Sequence, residues 1–212
     1  MKCKEYRRIA SNKCELKSGL LALITLIYVS ISGGISFVSF NLGNNENYIL
    51  VIVMSILAIC ASFLSAFYIG PLYLGYSQVI VKNANRLEFN VGDLFKGFLN
   101  YWNAVCLTLL INVYTFLWTL LLFVPGIIKG LSYSMSYYIY IDNPTLTPKE
   151  CITKSKEMMK GYKAKLFRLQ LSYIGWEILC VLTFGILTLW VEPKINTAVY
   201  TLYQNIKKEK TI

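Results

Sequence analysis

The chain has 212 residues, of which 56% are hydrophobic and 15% are charged, and its formal net charge is +10. A soluble globular domain carries about a quarter charged residues, so this composition excludes an ordinary water-soluble domain. The chain contains no histidine, which removes the commonest general base and metal ligand. We therefore expect no enzyme active site, no metal and no cofactor, and the length suits one compact unit.

Charged residues are missing from three long runs, 20–45, 47–81 and 97–128. Each run exceeds the roughly 20 residues that a helix needs to cross the hydrocarbon of a bilayer. A helix on the surface of a soluble protein would instead show polar residues on one face. The sequence therefore predicts an all-α, polytopic transmembrane helix bundle.

The chain begins with a basic segment, 1–19, which holds six lysines and arginines. A signal peptide also begins with basic residues, but its apolar region is usually about 7–15 residues long. The longer run here predicts an uncleaved first membrane helix over 20–40. An Asn- and Gly-rich turn follows, and a second helix is predicted over 48–82, with a kink at Gly70-Pro71.

A polar loop over 83–100 leads to a third predicted helix, 101–124, which Pro125-Gly126 ends or kinks. A shorter apolar piece follows over 127–141. Tyrosine is enriched at membrane interfaces, so a tyrosine cluster in this piece predicts an interfacial belt. The cluster consists of Tyr133, Tyr137, Tyr138 and Tyr140.

The next segment has the pattern of a capped amphipathic helix over 148–168. Thr147 can cap it, Pro148 suits the first helical position, and Glu150 completes a capping box. Apolar residues fall on one side of a helical wheel, and basic residues fall on the other. The pattern predicts a cytoplasmic helix on the membrane surface, or alternatively a helix packed on a soluble partner. The candidate contacts to anionic lipid headgroups are Lys154, Lys156, Lys160 and Lys163.

A fifth membrane helix is predicted over 170–190, followed by a break at Pro193, a last piece over 195–206 and a tail, 207–212. These elements give a single membrane domain, 20–206, with about six membrane segments. The pieces 127–141 and 195–206 are short for a full crossing. Four full spans plus two short or re-entrant pieces are therefore the alternative.

The distribution of positive charge predicts the orientation. With the N-terminus inside, 19 of the 21 lysines and arginines lie in the inside segments, and only Lys129 and Lys194 lie at outer turns. Cytoplasmic loops carry the excess of positive charge in membrane proteins. The charge therefore indicates a multi-pass protein of the bacterial cell membrane with both termini in the cytoplasm, and no nucleic-acid partner.

The C-terminal half resembles a known family, most strongly over 117–206. The residues that carry the likeness are Leu117-Trp118, Pro125-Gly126-Ile127-Ile128-Lys129, Tyr133-Ser134-Met135, Asp142-Asn143-Pro144, Met159-Lys160-Gly161-Tyr162-Lys163, Leu171-Ser172-Tyr173-Ile174-Gly175-Trp176 and Leu189-Trp190. This series resembles the bacterial integral membrane family known as domain of unknown function 975. The family pattern usually has Phe at Tyr173 and an aromatic residue at Lys194. The resemblance implies a six-helix membrane architecture and no particular activity.

Four residues within the predicted membrane domain are candidate functional residues. A carboxylate inside a membrane helix is costly, so Glu177 predicts an ion or proton site, unless the helix starts later and Glu177 lies at the inner headgroups. Lys129 can extend to the outer interface, on the side opposite Glu177 in this topology. Pro125 and Gly126 interrupt a helix, and transporters use such interruptions to bind ions or substrates.

Two functions are consistent with these features. The first is a non-catalytic membrane module that interacts with the lipid bilayer, through anionic headgroups or another membrane protein. The alternative is a small transporter or permease that uses the broken helices and Glu177.

Overall fold

The computed structural model describes residues 3–15, 18–40, 67–183 and 185–210, and their regular structure is entirely helical. We number the helices in chain order, with one 3-10 helix, η1, between α3 and α4. The bounds are α1 Cys3–Glu15, α2 Ser18–Phe40, α3 67–84, η1 Val91–Asn100, α4 Tyr101–Leu121, α5 Phe123–Tyr133, α6 Ser136–Asp142, α7 Pro148–Met158, α8 Lys163–Leu171, α9 Ile174–Leu182 and α10 Thr188–Lys210. The predicted turn at 41–47 and the start of the second helix at 48 lie outside these residues.

The basic N-terminal segment forms a packed helix, α1. Tyr6, Ala10 and Cys14 recur four residues apart, so they share one face, and all three are buried. That face packs on α10, where the Tyr6 hydroxyl accepts a hydrogen bond from the Asn205 amide at 3.1 Å. Cys14 lies 3.5 Å from the Thr197 hydroxyl, which makes the two helices antiparallel.

Helix α3 continues through Gly70-Pro71 and passes very close to η1. A Cβ on Gly75 would collide with the carbonyl of Leu94, and a Cβ on Gly97 would collide with the carbonyl of Pro71. Glycine lets the two backbones touch, since it has no side chain in the way. The predicted polar loop 83–100 thus ends in an ordered 3-10 helix that locks onto α3.

Helices α4 and α5 form an antiparallel hairpin with a one-residue connection. The chain is extended at Leu122, with φ −159° and ψ 133°, so the third helix ends at Leu121 and not at Pro125. Pro125 lies in the first turn of α5, where backbone N–H groups have no acceptor within the helix. The N–H that proline lacks therefore costs no helical hydrogen bond. Gly126 packs against Thr119, and the ammonium of Lys129 lies 4.3 Å from the centre of the Trp118 ring.

The predicted piece 127–141 is therefore not one segment. It divides into the end of α5 and the short helix α6, with a turn at Ser134 and Met135. The tyrosine belt is also wrong, because Tyr133, Tyr138 and Tyr140 are buried inside the protein. Tyr138 packs with Tyr200 and Tyr203 of α10, and burial of these aromatic rings stabilises the fold.

The predicted amphipathic helix 148–168 is two helices, α7 and α8. Gly161 has φ +86°, a conformation that glycine adopts without strain, and it breaks the helix after the capped start at Thr147. The apolar side does not face a membrane. In α7 the apolar side packs against α4, α5 and α6, and in α8 it packs against α1, α5 and α10. Its buried members are Cys151, Ile152, Ser155, Met158, Met159, Leu166 and Leu169.

The last two predicted segments also differ in the structure. The predicted helix 170–190 is interrupted, since α9 ends at Leu182 and Gly185 forms a turn with φ +84°. Helix α10 then runs through Pro193 without a break. Proline removes one hydrogen bond there, and Pro193 is itself buried in the packing of α10. Residues 195–206 are therefore the middle of a long helix that packs on α1, α2 and α8.

The contacts of α10 give the molecule two different ends. Tyr138 of α6 packs on Tyr200 of α10, and further along both helices Asp142 forms a salt bridge with Lys207. Helices α6 and α10 therefore run parallel. The α4–α5 turn and the α9–α10 turn are then at the same end, which we call the apolar end. Large side chains there are 61% to 79% exposed, namely Leu120, Leu121, Leu122, Val124, Val181, Leu182 and Ile186.

One helical stretch of the described residues, Val91–Leu121, is long and apolar enough to cross a membrane. The core helix of a soluble protein can meet the same criterion, but such a helix is mostly buried. Only 22% of the apolar window in Val91–Leu121 is buried. An exposed apolar surface of this kind favours contact with hydrocarbon or with another apolar partner.

Candidate functional site

A polar cavity of about 460 Å³ lies between α3, α4, the α5–α6 region, the end of α8, α9 and α10. It brings together Glu177, which is predicted from the sequence, and Glu192, which is not among the predicted residues. Amide side chains and tyrosine rings complete the wall. The polar and aromatic lining residues are Tyr73, Thr108, Asn112, Tyr133, Ser134, Tyr137, Tyr138, Gln170, Glu177, Glu192 and Asn196.

Local hydrogen bonds hold the cavity wall in place. The Asn196 amide donates to the Glu192 carboxylate at 3.1 Å and to the Glu192 carbonyl at 3.0 Å, one turn back along α10. On the opposite wall the hydroxyls of Thr108 and Tyr137 are 2.8 Å apart. The bonds from Asn196 hold the Glu192 side chain against α10, as a binding group requires.

The two carboxylates give the cavity a negative potential. Glu177 and Glu192 both line this space, so it carries two acidic side chains. No lysine or arginine is among the lining residues of the described part of the chain. Tyrosine faces also attract cations, so the arrangement suits a cation more than an anion. Within the same described residues, no group of three metal-ligating side chains occurs.

The other predicted membrane residues lie outside the cavity. The cavity includes Gly130 but not Lys129, whose ammonium lies over Trp118 instead. Gly126 is buried against Thr119 and Pro125 begins α5, so both residues shape the hairpin. The structure therefore brings Glu177 together with Glu192 and leaves Lys129, Pro125 and Gly126 at the α4–α5 hairpin.

The four predicted lipid-contact lysines lie on the outside of α7, the α7–α8 turn and the start of α8. Lys154, Lys156 and Lys160 are exposed, and Lys163 is partly exposed. The same helix keeps Cys151 inside, where burial raises the pKa of its thiol to about 11. Helix α7 thus has a basic outer face and a buried inner face.

The segments predicted to be cytoplasmic meet around the C-terminal half of α10. Asn205 bonds to Tyr6 of α1, and Gln204 donates to Asn85 after α3 at 2.9 Å. The Lys210 ammonium donates to the Glu157 carbonyl of α7 at 2.9 Å. The hydrogen bond from Tyr162 to Glu209 raises the pKa of that phenol. We call this region the basic end.

A second cavity, of about 890 Å³, lies between α1, the α8–α9 junction and the start of α10. This cavity is not predicted from the sequence, in which residues 1–19 stand out only as a basic segment. The spacing of Tyr6, Ala10 and Cys14 was the available signal for a packed helix. We call this cavity the arginine groove.

The comparisons agree with the resemblance found in the sequence. Residues 120–210 match the family described as Protein of unknown function (DUF975). No match is found among the curated proteins or among the solved structures. The matched region runs from the end of α4 to the end of α10, so it includes both Glu177 and Glu192.

Proposed function

We propose that the chain is a non-catalytic, multi-pass protein of the bacterial cell membrane that contacts anionic lipid headgroups or another membrane protein through its basic end. One observation carries the proposal. The molecule has exposed apolar side chains at one end and positive charge gathered at the other. Such a body suits a bilayer, with apolar tips in hydrocarbon and lysines at the headgroups.

The contacts at the basic end support a cytoplasmic position for both termini. The N-terminal helix and the C-terminal residues belong to one packed unit through Tyr6 and Asn205. They therefore lie on the same side of any membrane that the chain crosses. The exposed lysines Lys154, Lys156 and Lys160 belong to that side and follow the positive-inside rule.

Cysteine labelling tests the proposal directly. In a background with Cys3, Cys60 and Cys106 replaced by serine, we expect Lys156→Cys to react with a water-soluble maleimide only after the cells are permeabilised. Leu121→Cys should stay unlabelled until the protein is denatured, because lipid surrounds it. Labelling of Lys156→Cys in intact cells would reverse the orientation. A folded chain that remains in solution without detergent would overturn the membrane proposal.

The polar cavity favours a second candidate function, a small permease for cations. It rests on Glu177 and Glu192 in one anionic, tyrosine-walled space. We expect ethidium flux into vesicles that contain the reconstituted protein to fall in Glu177→Gln and Glu192→Gln. Glu88→Gln, in an exposed loop, is the matched control and should leave the flux unchanged. If the flux in all three variants equalled that of the wild-type protein, this function would be ruled out for that cation.

A further inference from the structure

We propose that the arginine groove binds the phosphate-bearing headgroup of an anionic phospholipid. The inference rests on the proposed membrane location of the chain. It concerns a site separate from the exposed lysines of α7, and it adds a specific ligand class to that location. The groove is lined by Lys4, Arg7, Arg8, Ser11, Asn12, Ser172, Tyr173, Trp176, Leu187, Trp190, Val191 and Lys194.

The charge of the groove selects an anion. Four cationic side chains line it, three from α1 and Lys194 from α10. Within the described part of the chain, none of the four forms a salt bridge. Arginine and lysine bind phosphate oxygens through charge-assisted hydrogen bonds. Ser11, Asn12 and Ser172 add neutral polar groups at the same wall.

The cations are held on a fixed frame. The Arg7 guanidinium lies 5.2 Å from the centre of the Tyr173 ring, which joins α1 to the turn before α9. Helix α1 is anchored on α10 at both Tyr6 and Cys14. The helix that carries three of the four cations is therefore fixed in place, which lowers the entropy cost of binding a headgroup.

The remaining wall of the groove suits a lipid more than a free phosphate. Trp176 and Trp190 line it and are each a little under half exposed. Tryptophan concentrates at the boundary between headgroups and hydrocarbon. Helix α9 continues from Trp176 with exposed Ile178, Val181 and Leu182 towards the apolar end. A headgroup at the arginines would place its acyl chains along this apolar strip.

Fluorescence quenching by brominated lipid tests the assignment in the full-length protein. Trp102→Phe and Trp118→Phe leave Trp176 and Trp190 as the reporters. We expect phosphatidylglycerol with brominated chains to quench them at lower mole fraction than brominated phosphatidylcholine. Lys4→Gln with Arg8→Gln should reduce this preference about fivefold for each charge removed. Lys4→Arg with Arg8→Lys should retain it, because the charge is kept.

Lys154→Gln with Lys156→Gln is the matched control, since it removes the same charge from the exposed face of α7. It should leave the quenching preference intact. An equal loss in both double variants would overturn the groove, because the preference would then report surface charge alone. Inorganic phosphate that displaces the lipid at equal concentration would overturn the choice of a lipid. A chain that inserts into vesicles and shows no preference would refute the groove and leave the proposed membrane location standing.

Discussion

The Asn205 amide donates a hydrogen bond to the Tyr6 hydroxyl at 3.1 Å, across 199 residues of sequence. This bond joins the first helix to the last. It accompanies burial of the whole Tyr6 ring, which is 1% exposed. The N-terminal basic segment is thus part of the folded unit and not a tail, and the arginine groove depends on that docking.

Substitution of Tyr6 tests the docking of α1. Tyr6→Phe removes the hydroxyl and leaves the Asn205 amide without this acceptor, so we expect a loss of about 1 kcal/mol in the free energy of unfolding. Tyr6→Ala also empties the site of the ring and should cost about 3–5 kcal/mol. Denaturant unfolding in detergent measures both. Equal stability of wild type and Tyr6→Ala would show that α1 is not packed on α10.

The contact between α3 and η1 predicts a strong effect of a single methyl group. Gly75→Ala and Gly97→Ala would each drive a Cβ into a backbone carbonyl, so each should destabilise the protein by at least about 1–3 kcal/mol. Gly92→Ala is the matched control in η1, where nothing lies within 4 Å of the added Cβ. It should be neutral or slightly stabilising in thermal unfolding. Similar melting temperatures for all three variants would contradict the close approach.

Gly161 should be needed for its backbone conformation alone. Its φ is +86° and no atom lies within 4 Å of an added Cβ. Gly161→Ala should therefore cost about 1–2 kcal/mol through strain, and Gly161→Asn should cost less. Gly175→Ala has equally open space without a positive φ and should cost little. If Gly161→Ala proved stabilising, residues 148–168 would form one continuous helix as the sequence pattern predicts.

The start of α7 should respond to acid. The backbone N–H and hydroxyl of Thr147 each donate to the Glu150 carboxylate at 2.8 Å, and these bonds lower the pKa of Glu150. A carboxyl with a depressed pKa in the folded state stabilises above its unfolded pKa, and this stabilisation is lost as pH falls through the folded value. The stability difference between wild type and Glu150→Gln should therefore shrink as the pH is lowered from 7 to 3.

Thr147→Ala gives the companion measurement for that cap. Loss of the capping hydroxyl should cost about 1 kcal/mol at neutral pH. In the Thr147→Ala background, replacement of Glu150 by Gln should have a smaller effect on the pH profile, since one of the two bonds is already gone. An unchanged profile in this background would show that the hydroxyl does not set the titration of Glu150.

The sequence alone was enough to predict helical structure, the capping box at Thr147 and the separation of basic from apolar segments. It also carried the family resemblance over 117–206, and the family match covers residues 120–210. These features are local, because caps, charge runs and helical periodicity depend on residues a few positions apart. The same reasoning identified Glu177 as a candidate, since a single carboxylate in an apolar run is visible without a fold.

Only the tertiary structure decided what each surface faces. The apolar side of 148–168 has the pattern of a membrane-surface helix, yet it is covered by other helices of the chain. The helix breaks lie at Leu122 and Gly185, and not at the predicted positions Pro125 and Pro193. The roles proposed for Glu192 and for the arginines of α1 depend on neighbours that are distant in sequence. Burial and electrostatic pairing depend on which helices meet, and helical periodicity has the same form whichever neighbour covers the apolar face.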